Sequence, residues 1–519
     1  MQAPQPRISG TRDYAGGEAV ALQTARDAIA ATLRRYAYAA INPPILESPL
    51  PFLNRSGEDI RRQMYIFPDP GGREVCLRPE LTIPVCRAYL RQLQASEPAT
   101  GKSAKREARL AYFGAAFTYE PASEGRYRQF YQAGAEFIGS QSREAADAEI
   151  LAAALDALDA TGLTETQVEI GDVEIRNAFI DKLPISERSK TRIRRITLRN
   201  QNDPRAGAPA SAPTAAETAN EFGELASLLA AVEPGKADRL IKEVFALADV
   251  RHVGGRTAEE IVERLISRNA QEAEPISAEL IEGVVTLLNI RAKPEAAFKA
   301  IRDHFRKFRI ASIDPVLERC ATRLRYIDAY RQKPIALQFN VGLRRGLEYY
   351  TGFLFEVFAK NPAQAGHVCG GGRYDNLLEG LGANASIPAV GFGIGLDRLL
   401  STLQQQTQTP VSMQAQAPQA LVVAAGSTGH EEAIRVSAIL REAGWSVELD
   451  CSGRDERSSL AEAASRRIAY VAFVGGEASK KDQVRIRRLR DRADEFVALS
   501  ALVSYAQRES DGSVTGKQP

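Results

Sequence analysis

The order of predicted elements in the first 165 residues constrains the fold more than any other feature of the chain. Residues 18–41 carry apolar side chains at helical spacing, and Pro43 and Pro44 end that helix. Strand-like apolar runs separated by polar turns follow at 63–67, 74–78, 111–119 and 128–138. Several consecutive strands after one helix favour antiparallel pairing over a strand–helix–strand wind. We therefore predict an α+β fold whose core is an antiparallel sheet.

The C-terminal part follows a different pattern. Residues 419–505 alternate strand-like and helical segments, which predicts a small α/β domain with a largely parallel sheet. The stretches 206–218 and 404–418 have the composition of flexible connectors. The predicted division is a first half of the core at 1–165, a mostly helical insertion at 166–330, a second half of the core at 331–405, a linker at 406–418, the α/β domain at 419–505 and a polar tail at 506–519.

Composition excludes several classes of protein. Lys and Arg number 67 against 65 Asp and Glu, and this net charge of +2 excludes binding to nucleic acid by bulk charge alone. Because no run of about 18 apolar residues and no apolar leader is found, we expect a cytoplasmic protein without membrane contact. The five cysteines and four histidines show no zinc-ligand spacing, so no metal site is predicted.

The stretch 117–136 has the pattern of a strand, a polar loop and a second strand. On the second strand, Arg128, Gln132 and Glu136 share one parity and therefore one face of the sheet. A glutamine and a glutamate on one face suit a small cationic or amide-bearing ligand, and Arg126 in the loop suits a phosphate or carboxylate. A polar, solvated sheet face explains the same pattern equally well, so both interpretations stay open.

Two further stretches combine polar side chains with glycines. Residues 343–358 alternate, and tyrosine hydroxyls beside Arg345 would frame a polar pocket, although a core strand with amphipathic tyrosines gives the same pattern. Residues 370–378 and 391–400 each lead from glycines into a helical pattern, with Arg398 in a first turn. Neither matches the P-loop or the dinucleotide-binding fingerprint, and each by itself is a weak signal.

Together these motifs resemble the histidyl-tRNA synthetase family of class II synthetases, over nearly the whole chain. The resemblance implies the class II fold and gives each segment a role. The matching segments are 9–13 (the N-terminal signature), 44–47 with the preceding helix (motif 1, which forms the dimer), 77–82 (which holds histidine), 117–136 (motif 2), 344–350 and 371–375 (the histidine-specific motifs), 391–399 (motif 3) and 419–505 (the anticodon-binding domain).

The resemblance also implies roles for single residues. Glu80, Gln132 and Glu136 would hold the α-amino and imidazole groups of histidine, and Arg345 would lie near its carboxylate. The complete predicted histidine pocket is Glu80, Thr82, Arg126, Gln132, Glu136, Arg345, Tyr349, Tyr350 and Tyr374. Glu120 and Arg398 would contact a nucleotide if nucleotide binding is retained.

One departure from the family pattern concerns catalysis. In motif 2, active synthetases have an arginine that grips the α-phosphate, and this chain has Thr118 at that position. A threonine hydroxyl cannot replace a bidentate guanidinium, whose contribution to such a transition state is typically several kcal/mol. The segments 52–62, 76–87 and 253–261 resemble a paralogue, the regulatory subunit of short-form ATP phosphoribosyltransferase, the first enzyme of histidine biosynthesis.

The sequence therefore leads to a histidine-sensing regulatory subunit without catalytic residues of its own and without a cofactor. Its expected partners are L-histidine and the catalytic subunit of short-form ATP phosphoribosyltransferase, with the chain itself a homodimer inside a hetero-oligomer. The alternative is an active histidine–tRNA ligase that uses ATP and Mg²⁺ to form histidyl-adenylate and then charges tRNA(His). The anticodon-binding-like domain at 419–505 favours this alternative, because the regulatory subunit usually lacks it.

Overall fold

The structure is a computed structural model, and it describes residues 7–96, 107–119, 127–199, 252–253, 256–257, 278–310, 312–331, 333–345, 349–360, 367–407, 417–424, 429–475 and 482–514. The chain divides into two compact units. The core unit comprises Met1–Asp13 and Ala21–Pro410, and the C-terminal unit comprises Tyr14–Val20 and Val411–Pro519. The six-part division given above is finer than these two units, and apart from the start of its insertion it stays a prediction.

The elements up to residue 407 are listed here in chain order. The helices are α1 (Gly17–Arg35), α2 (Leu50–Arg61), α3 (Thr82–Ser96), α4 (Arg143–Ala160), α5 (Val173–Asp181), α6 (Glu187–Arg199), α7 (Ala278–Leu288), α8 (Pro294–Lys307), α9 (Asp314–Tyr330), α10 (Leu377–Gly380) and α11 (Leu396–Thr407). The strands are β1 (Ala39–Ala40), β2 (Leu46–Glu47), β3 (Ile66–Pro68), β4 (Glu74–Leu77), β5 (Ala108–Phe117), β6 (Gln129–Ile138), β7 (Thr166–Asp172), β8 (His252–Val253), β9 (Arg256–Thr257), β10 (Arg291–Ala292), β11 (Ala336–Asn340), β12 (Phe353–Ala359), β13 (Cys369–Arg373) and β14 (Ala389–Gly395).

The core unit is built on a nine-stranded sheet with the order β1-β5-β6-β14-β13-β12-β7-β11-β10. Only the pairs β1–β5 and β7–β11 are parallel, and the remaining neighbours are antiparallel. Strands β2, β4 and β3 form a separate antiparallel sheet beside it. The prediction of an α+β fold with an antiparallel core is therefore confirmed.

Two predicted boundaries are wrong. The first helix ends at Arg35 and not at 41, because Ala37 adopts a left-handed conformation (φ 61°) that an α-helix cannot continue through. Residues 166–172 do not belong to the insertion, since they form β7, which pairs with both β12 and β11 inside the large sheet. The alternation of β7 buries Val168 and Ile170 in the core, and the sheet supplies partners for its backbone.

Helix α4 covers the sheet and is buried along most of its length. Its alanines, among them Ala148, Ala152 and Ala153, allow the backbones of neighbouring elements to approach closely. A helix that is buried nearly all round belongs in an interior, and α4 packs against β14 and against α9. The sheet and α9 thus share α4 as a common core element.

A chain of buried ion pairs crosses this interior. Asp147 on α4 is fully buried and accepts hydrogen bonds from Arg323 Nε on α9 (2.8 Å) and Arg373 Nε on β13 (2.8 Å). Arg323 also donates to Asp172 at the end of β7 (3.2 Å), and Arg373 donates to Asp375 (2.9 Å). Since each charge has partners of opposite sign, α4, α9, β7 and β13 are held in one register.

The C-terminal unit contains strands β15 (Ala420–Ala424), β16 (Val447–Asp450), β17 (Tyr470–Val474), β18 (Gln483–Arg488) and β19 (Ala493–Ala498), and helices α12 (His430–Glu442), α13 (Glu456–Ser465) and α14 (Leu502–Val514). Its sheet has the order β16-β15-β17-β18-β19, with the first three strands parallel and the last two antiparallel. The α/β prediction is confirmed, but the sheet is only half parallel. The link from β17 to β18 is too short for the dozen or more residues that a parallel crossover needs.

The described helices include none that is both long enough and apolar enough to span a membrane.

We predict that removing the charge of Arg323 destabilises the core unit and leaves the C-terminal unit unchanged. Arg323→Met leaves Asp147 and Asp172 buried with one partner fewer, and breaking such a pair typically costs about 3–5 kcal/mol. The chain has a single tryptophan, Trp445, which is buried in the C-terminal unit and donates to the carbonyl of Ala506 (3.0 Å). Urea unfolding followed by circular dichroism should move to lower urea, while the tryptophan fluorescence transition stays in place.

Leu440→Ala is the matched control, because Leu440 is buried in the core around Trp445. A large-to-small change there typically costs about 2–5 kcal/mol and should move the fluorescence transition. A fluorescence transition that shifts equally in Arg323→Met would contradict the assignment of this ion-pair chain to the core unit alone.

Candidate functional site

The floor of the candidate site is formed by β6 and β14. Gln132, Gly134 and Glu136 lie on one face of β6 by strand alternation, and Glu136 stands opposite Gly391 on β14. A Cβ atom at Gly391 would lie 1.5 Å from Glu136 Oε2. Glycine at this position therefore lets the Glu136 carboxyl lie across the neighbouring strand.

Glu136 is fully buried and lies at the centre of the site. The Tyr374 hydroxyl donates to its Oε2, while no described residue bonds to its Oε1. Burial raises the pKa of Glu136 to about 8, although Tyr374 and Thr82 act in the opposite direction. The Oε1 atom is therefore positioned to accept a hydrogen bond from a ligand, and a cationic ligand would favour the ionised carboxylate.

Glu80 supplies a second buried carboxyl. Burial raises the pKa of Glu80 to about 7. The backbone N–H groups of Ile83 (2.8 Å) and Thr82 (2.6 Å) donate to this carboxyl and act to lower its pKa. These bonds cap the start of α3, a structural role that the sequence analysis missed although Glu80 lies only two residues before Thr82, the first residue of the helix. The negative charge of Glu80 also raises the pKa of Glu136, so the two carboxyls belong to one electrostatic site.

Three tyrosines form a wall beside these carboxyls. The ring centroids of Tyr349 and Tyr350 are 4.7 Å apart, and those of Tyr349 and Tyr374 are 5.5 Å apart. Tyr349 and Tyr374 are buried, and Tyr350 is half-buried. An aromatic wall with hydroxyl groups suits a flat ligand that carries polar atoms, such as a small heteroaromatic ring.

A line of charged groups runs away from this wall. Arg345 Nη1 lies 3.3 Å from Glu356 Oε1, which in turn lies 3.8 Å from His367 Nδ1. His367 meets Arg398, whose Nη1 lies 3.3 Å from His367 Nε2 and donates to the His367 carbonyl (3.2 Å). The two predicted binding arginines are thus connected through two residues that the sequence analysis did not select.

The electrostatics of this line keep Arg345 charged. Burial acts to lower the pKa of Arg345, but Tyr350 and Glu356 outweigh it and leave the pKa above its ordinary value. Burial also raises the pKa of Glu356 to about 7 against the attraction of Arg345. A Cβ atom at Gly370 would lie 1.4 Å from Arg345 Nη1, so the glycine of β13 provides the space in which this guanidinium lies. Glu356 could have been found from the sequence, because it shares strand parity with Tyr350.

Most of the predicted pocket is brought together. The described members are Glu80, Thr82, Gln132, Glu136, Arg345, Tyr349, Tyr350 and Tyr374, with Arg398 reached through His367. Gln132 Oε1 is buried without a partner among the described residues. Glu120 and Arg126 lie outside the described residues. Arg128 was predicted on the face of Gln132, but it precedes β6, donates to the Ser9 carbonyl and stacks on Tyr119.

Thr118 follows β5 directly and extends the pairing of β5 with the chain before β6. Its backbone N–H donates to the Arg128 carbonyl (2.9 Å). The threonine is half-buried.

Each of the two units is matched by the model of a known protein family. The model of the family described as histidyl-tRNA synthetase matches residues 10–253 and 239–399. The model described as anticodon binding domain matches residues 419–509.

Individual relatives agree with these matches. The histidine–tRNA ligases of Pyrococcus furiosus and Methanocaldococcus jannaschii are each 28% identical to this chain, over 96% of it and 98% of the relative. A solved histidyl-tRNA synthetase from Nostoc aligns with a TM-score of 0.64 at 17% identity, over 98% of this chain and 100% of that chain. A structure from Bacillus halodurans titled as an ATP phosphoribosyltransferase regulatory subunit/histidyl-tRNA synthetase aligns at 0.63 and 20% identity, over 92% and 100%. These structural likenesses support the class II fold.

The predicted role as a regulatory subunit is wrong. The curated relatives that match nearly the whole chain are histidine–tRNA ligases, whereas the regulatory paralogue appears only as a structural neighbour at 20% identity. The predicted partnership with an ATP phosphoribosyltransferase catalytic subunit depends on that role and is therefore not supported either. Thr118 and the segments 52–62, 76–87 and 253–261 favour the regulatory paralogue, but the match over nearly the whole chain is to histidine–tRNA ligases.

We predict that the stability of the ligand-free core unit falls as the pH rises through the range set by its buried carboxyls. Glu80 and Glu136 have ordinary pKa values of 4.5 that are raised to about 7 and about 8 in the folded chain. Between these limits the folded state binds more protons than the unfolded state, so the free energy of unfolding decreases with rising pH. Thermal unfolding between pH 5 and pH 8.5 should show a smaller decrease for Glu136→Gln than for the wild type.

The control is Glu295→Gln, which removes an exposed carboxyl at the start of α8. Its unfolding temperature should follow the wild type across the same pH range. An identical pH dependence in Glu136→Gln and in the wild type would show that Glu136 does not titrate as described.

Proposed function

The chain belongs to the histidyl-tRNA synthetase family, and from this premise we propose that it is a histidine–tRNA ligase. It would form histidyl-adenylate from histidine and ATP and transfer the histidyl group to tRNA(His). The observation that carries the proposal is a buried pocket with two carboxyls, three tyrosines and one charged arginine. The near full-length match to histidine–tRNA ligases supports it.

The pocket suits histidine because the ligand supplies what the buried carboxyls lack. Two carboxyls with raised pKa values are poorly solvated, and a ligand with an ammonium group and an imidazole would donate hydrogen bonds to them. We assign Glu80, Gln132 and Glu136 to the binding of the ammonium group and the imidazole. The tyrosine wall would lie against the imidazole ring, and Arg345 would meet the carboxylate.

Arg345 also explains how adenylate formation proceeds with Thr118 in motif 2. A histidine carboxylate oxygen attacks the α-phosphorus of ATP, the bond to the β-phosphate oxygen breaks, and pyrophosphate leaves. Negative charge grows on the oxygens of the α-phosphate, directly beside the carboxylate that Arg345 would hold. A buried, permanently charged guanidinium already held in place by Glu356 stabilises this charge without reorganisation.

The family implies ATP as a substrate, with Mg²⁺ accompanying its phosphates. Arg398 is assigned to the nucleotide. The described pocket carboxyls Glu80, Glu136 and Glu356 each already bind protein donors, so they do not form a Mg²⁺ site.

We predict that the wild-type chain catalyses histidine-dependent exchange of pyrophosphate into ATP. Arg345→Met should lower the exchange rate by about 10²–10³-fold, since removal of one preorganised donor from a developing anion typically has that effect. Arg345→Lys should lose less, and Thr118→Arg should increase the rate because it adds a second cation near the α-phosphate.

The control for this assay is Arg306→Met, an exposed arginine on α8 whose loss should leave the rate unchanged. A wild-type chain that shows no histidine-dependent exchange would contradict the ligase function. An Arg345→Met variant with the wild-type rate would contradict only the role given to Arg345.

We further propose that the core unit forms a homodimer through the region of motif 1. Ile45, Leu46 and Phe67 are 46%, 54% and 41% exposed in or next to the sheet β2-β4-β3, and Leu50 at the start of α2 is 62% exposed. Exposed apolar side chains grouped in this way are normally covered by a partner, and a two-fold axis lets the same patch cover itself.

We predict that Leu46→Asp converts the dimer into a monomer, because it places a charge in the centre of this apolar group. Sedimentation velocity at micromolar concentration measures the change. Ile434→Asp in the C-terminal unit is the control, since Ile434 is equally exposed (56%) and lies outside the proposed interface. A wild-type chain that sediments as a monomer would contradict the proposal.

A further inference from the structure

Arg176 on α5 is a buried arginine whose Nε atom has no hydrogen-bond partner among the described residues. Arg176 is only 6% exposed. Other buried arginines of the core unit are satisfied. Arg323 and Arg373 bind carboxylates, and Arg78 donates to the carbonyls of Ala115 and Pro43.

The charged groups that act on Arg176 electrostatically include two cations, Arg344 and Arg194. The pKa of Arg176 is lowered to about 10, first by burial and then by repulsion from the guanidinium groups of Arg344 and Arg194. We call Arg176, Arg194 and Arg344 the arginine cluster. Arg194 also binds Asp181, so its own charge is partly balanced. Removing a cation from water is unfavourable, and repulsion from Arg344 and Arg194 increases this cost for Arg176.

The arginine cluster lies on the flank of the histidine pocket. Val173, one helical turn before Arg176, packs with Leu343 and Leu354, and Tyr350 of the pocket wall lies against the same group. Residues three apart on a helix share a face, so Arg176 is on the side of α5 that meets the chain around Leu343. Arg344 follows Leu343 directly, and the next residue, Arg345, enters the pocket. Arg194 comes from α6, which packs against α5.

We propose that the arginine cluster binds a phosphate of the RNA substrate, close to the RNA end that reaches the histidine pocket. The proposal rests on the ligase function given above. Guanidinium groups bind phosphate oxygens in pairs, and three of them surround a tetrahedral anion better than a planar carboxylate. The RNA must approach the pocket with its terminal phosphates, whereas ATP is assigned to the side of Arg345 and Arg398. A free phosphate or pyrophosphate has the same chemistry, so the experiment must separate these sources.

The test compares Arg176→Met with the wild type, since methionine keeps the length of the side chain and removes its charge. With a tRNA(His) transcript, we expect a KM about tenfold higher and a ratio of aminoacylation to pyrophosphate exchange about tenfold lower at limiting tRNA. The slope of log Kd for the transcript against log salt concentration should decrease by about one, as expected for one lost phosphate contact. Arg176→Lys should fall between the two.

Arg306→Met is the matched control for charge, because it removes one exposed arginine of the same core unit. Its KM for the transcript and its salt dependence should equal those of the wild type. Wild-type affinity and an unchanged salt slope in Arg176→Met would overturn the proposal.

Free anions are tested by thermal unfolding in inorganic phosphate and in pyrophosphate, each against chloride at equal ionic strength. If these anions stabilise the wild type but not Arg176→Met, while the affinity for the transcript is unchanged, the cluster binds a free anion and the RNA assignment is wrong. Failure of the ligase function is recognised separately, by a wild type without histidine-dependent exchange. In that case, the affinity of the wild type and of Arg176→Met for the fluorescently labelled transcript still shows whether the arginine cluster binds RNA or a free anion.

Discussion

The carboxylate of Asp147 joins the helical layer to the sheet, and the geometry of the core depends on the two arginines that it binds. Arg323 reaches it from α9 and Arg373 from β13, both at 2.8 Å. Tyr374 follows Arg373 directly, so the position of the hydroxyl that donates to Glu136 is set by this ion-pair chain. An interaction in the centre of the core therefore fixes one wall of the pocket, because a buried charge pair tolerates little displacement.

The pocket carboxyls of Glu80 and Glu136, unlike that of Asp147, are not paired with arginines among the described residues. Glu136 and Glu80 are buried with fewer favourable partners than Asp147, and their pKa values are raised towards or above neutrality. The folded chain thus holds these two carboxyls in an unfavourable environment, which under the proposed function a cationic ligand would relieve. Stability is supplied by the ion pairs and the apolar core, and the proposed binding residues are those whose polar groups stay incompletely satisfied.

The contrast between Thr118 and Arg345 explains why motif 2 alone predicts the wrong function. In the sequence, the absence of one cation from motif 2 suggests a loss of catalysis. In the fold, Arg345 comes from a different segment, yet it is buried beside the tyrosine wall and kept charged by Tyr350 and Glu356. A charge requirement can be met from any strand that reaches the same space, and a linear motif does not report this.

The sequence by itself determined the class of fold and the antiparallel pairing of the core. It also predicted most of the residues that the structure groups around Glu136, and their binding roles stay a prediction. Strand alternation placed Gln132 with Glu136 and Tyr350 with Glu356, and glycines marked the strands on which side chains lie close to the backbone. Only the tertiary structure decided that β7 is a strand of the large sheet, that Glu356 and His367 connect Arg345 to Arg398, and that Arg176 is buried among cations. Periodicity reports which face of an element a side chain occupies. The neighbours across that face come from distant segments, so burial, pKa and charge balance arise only when the chain has folded.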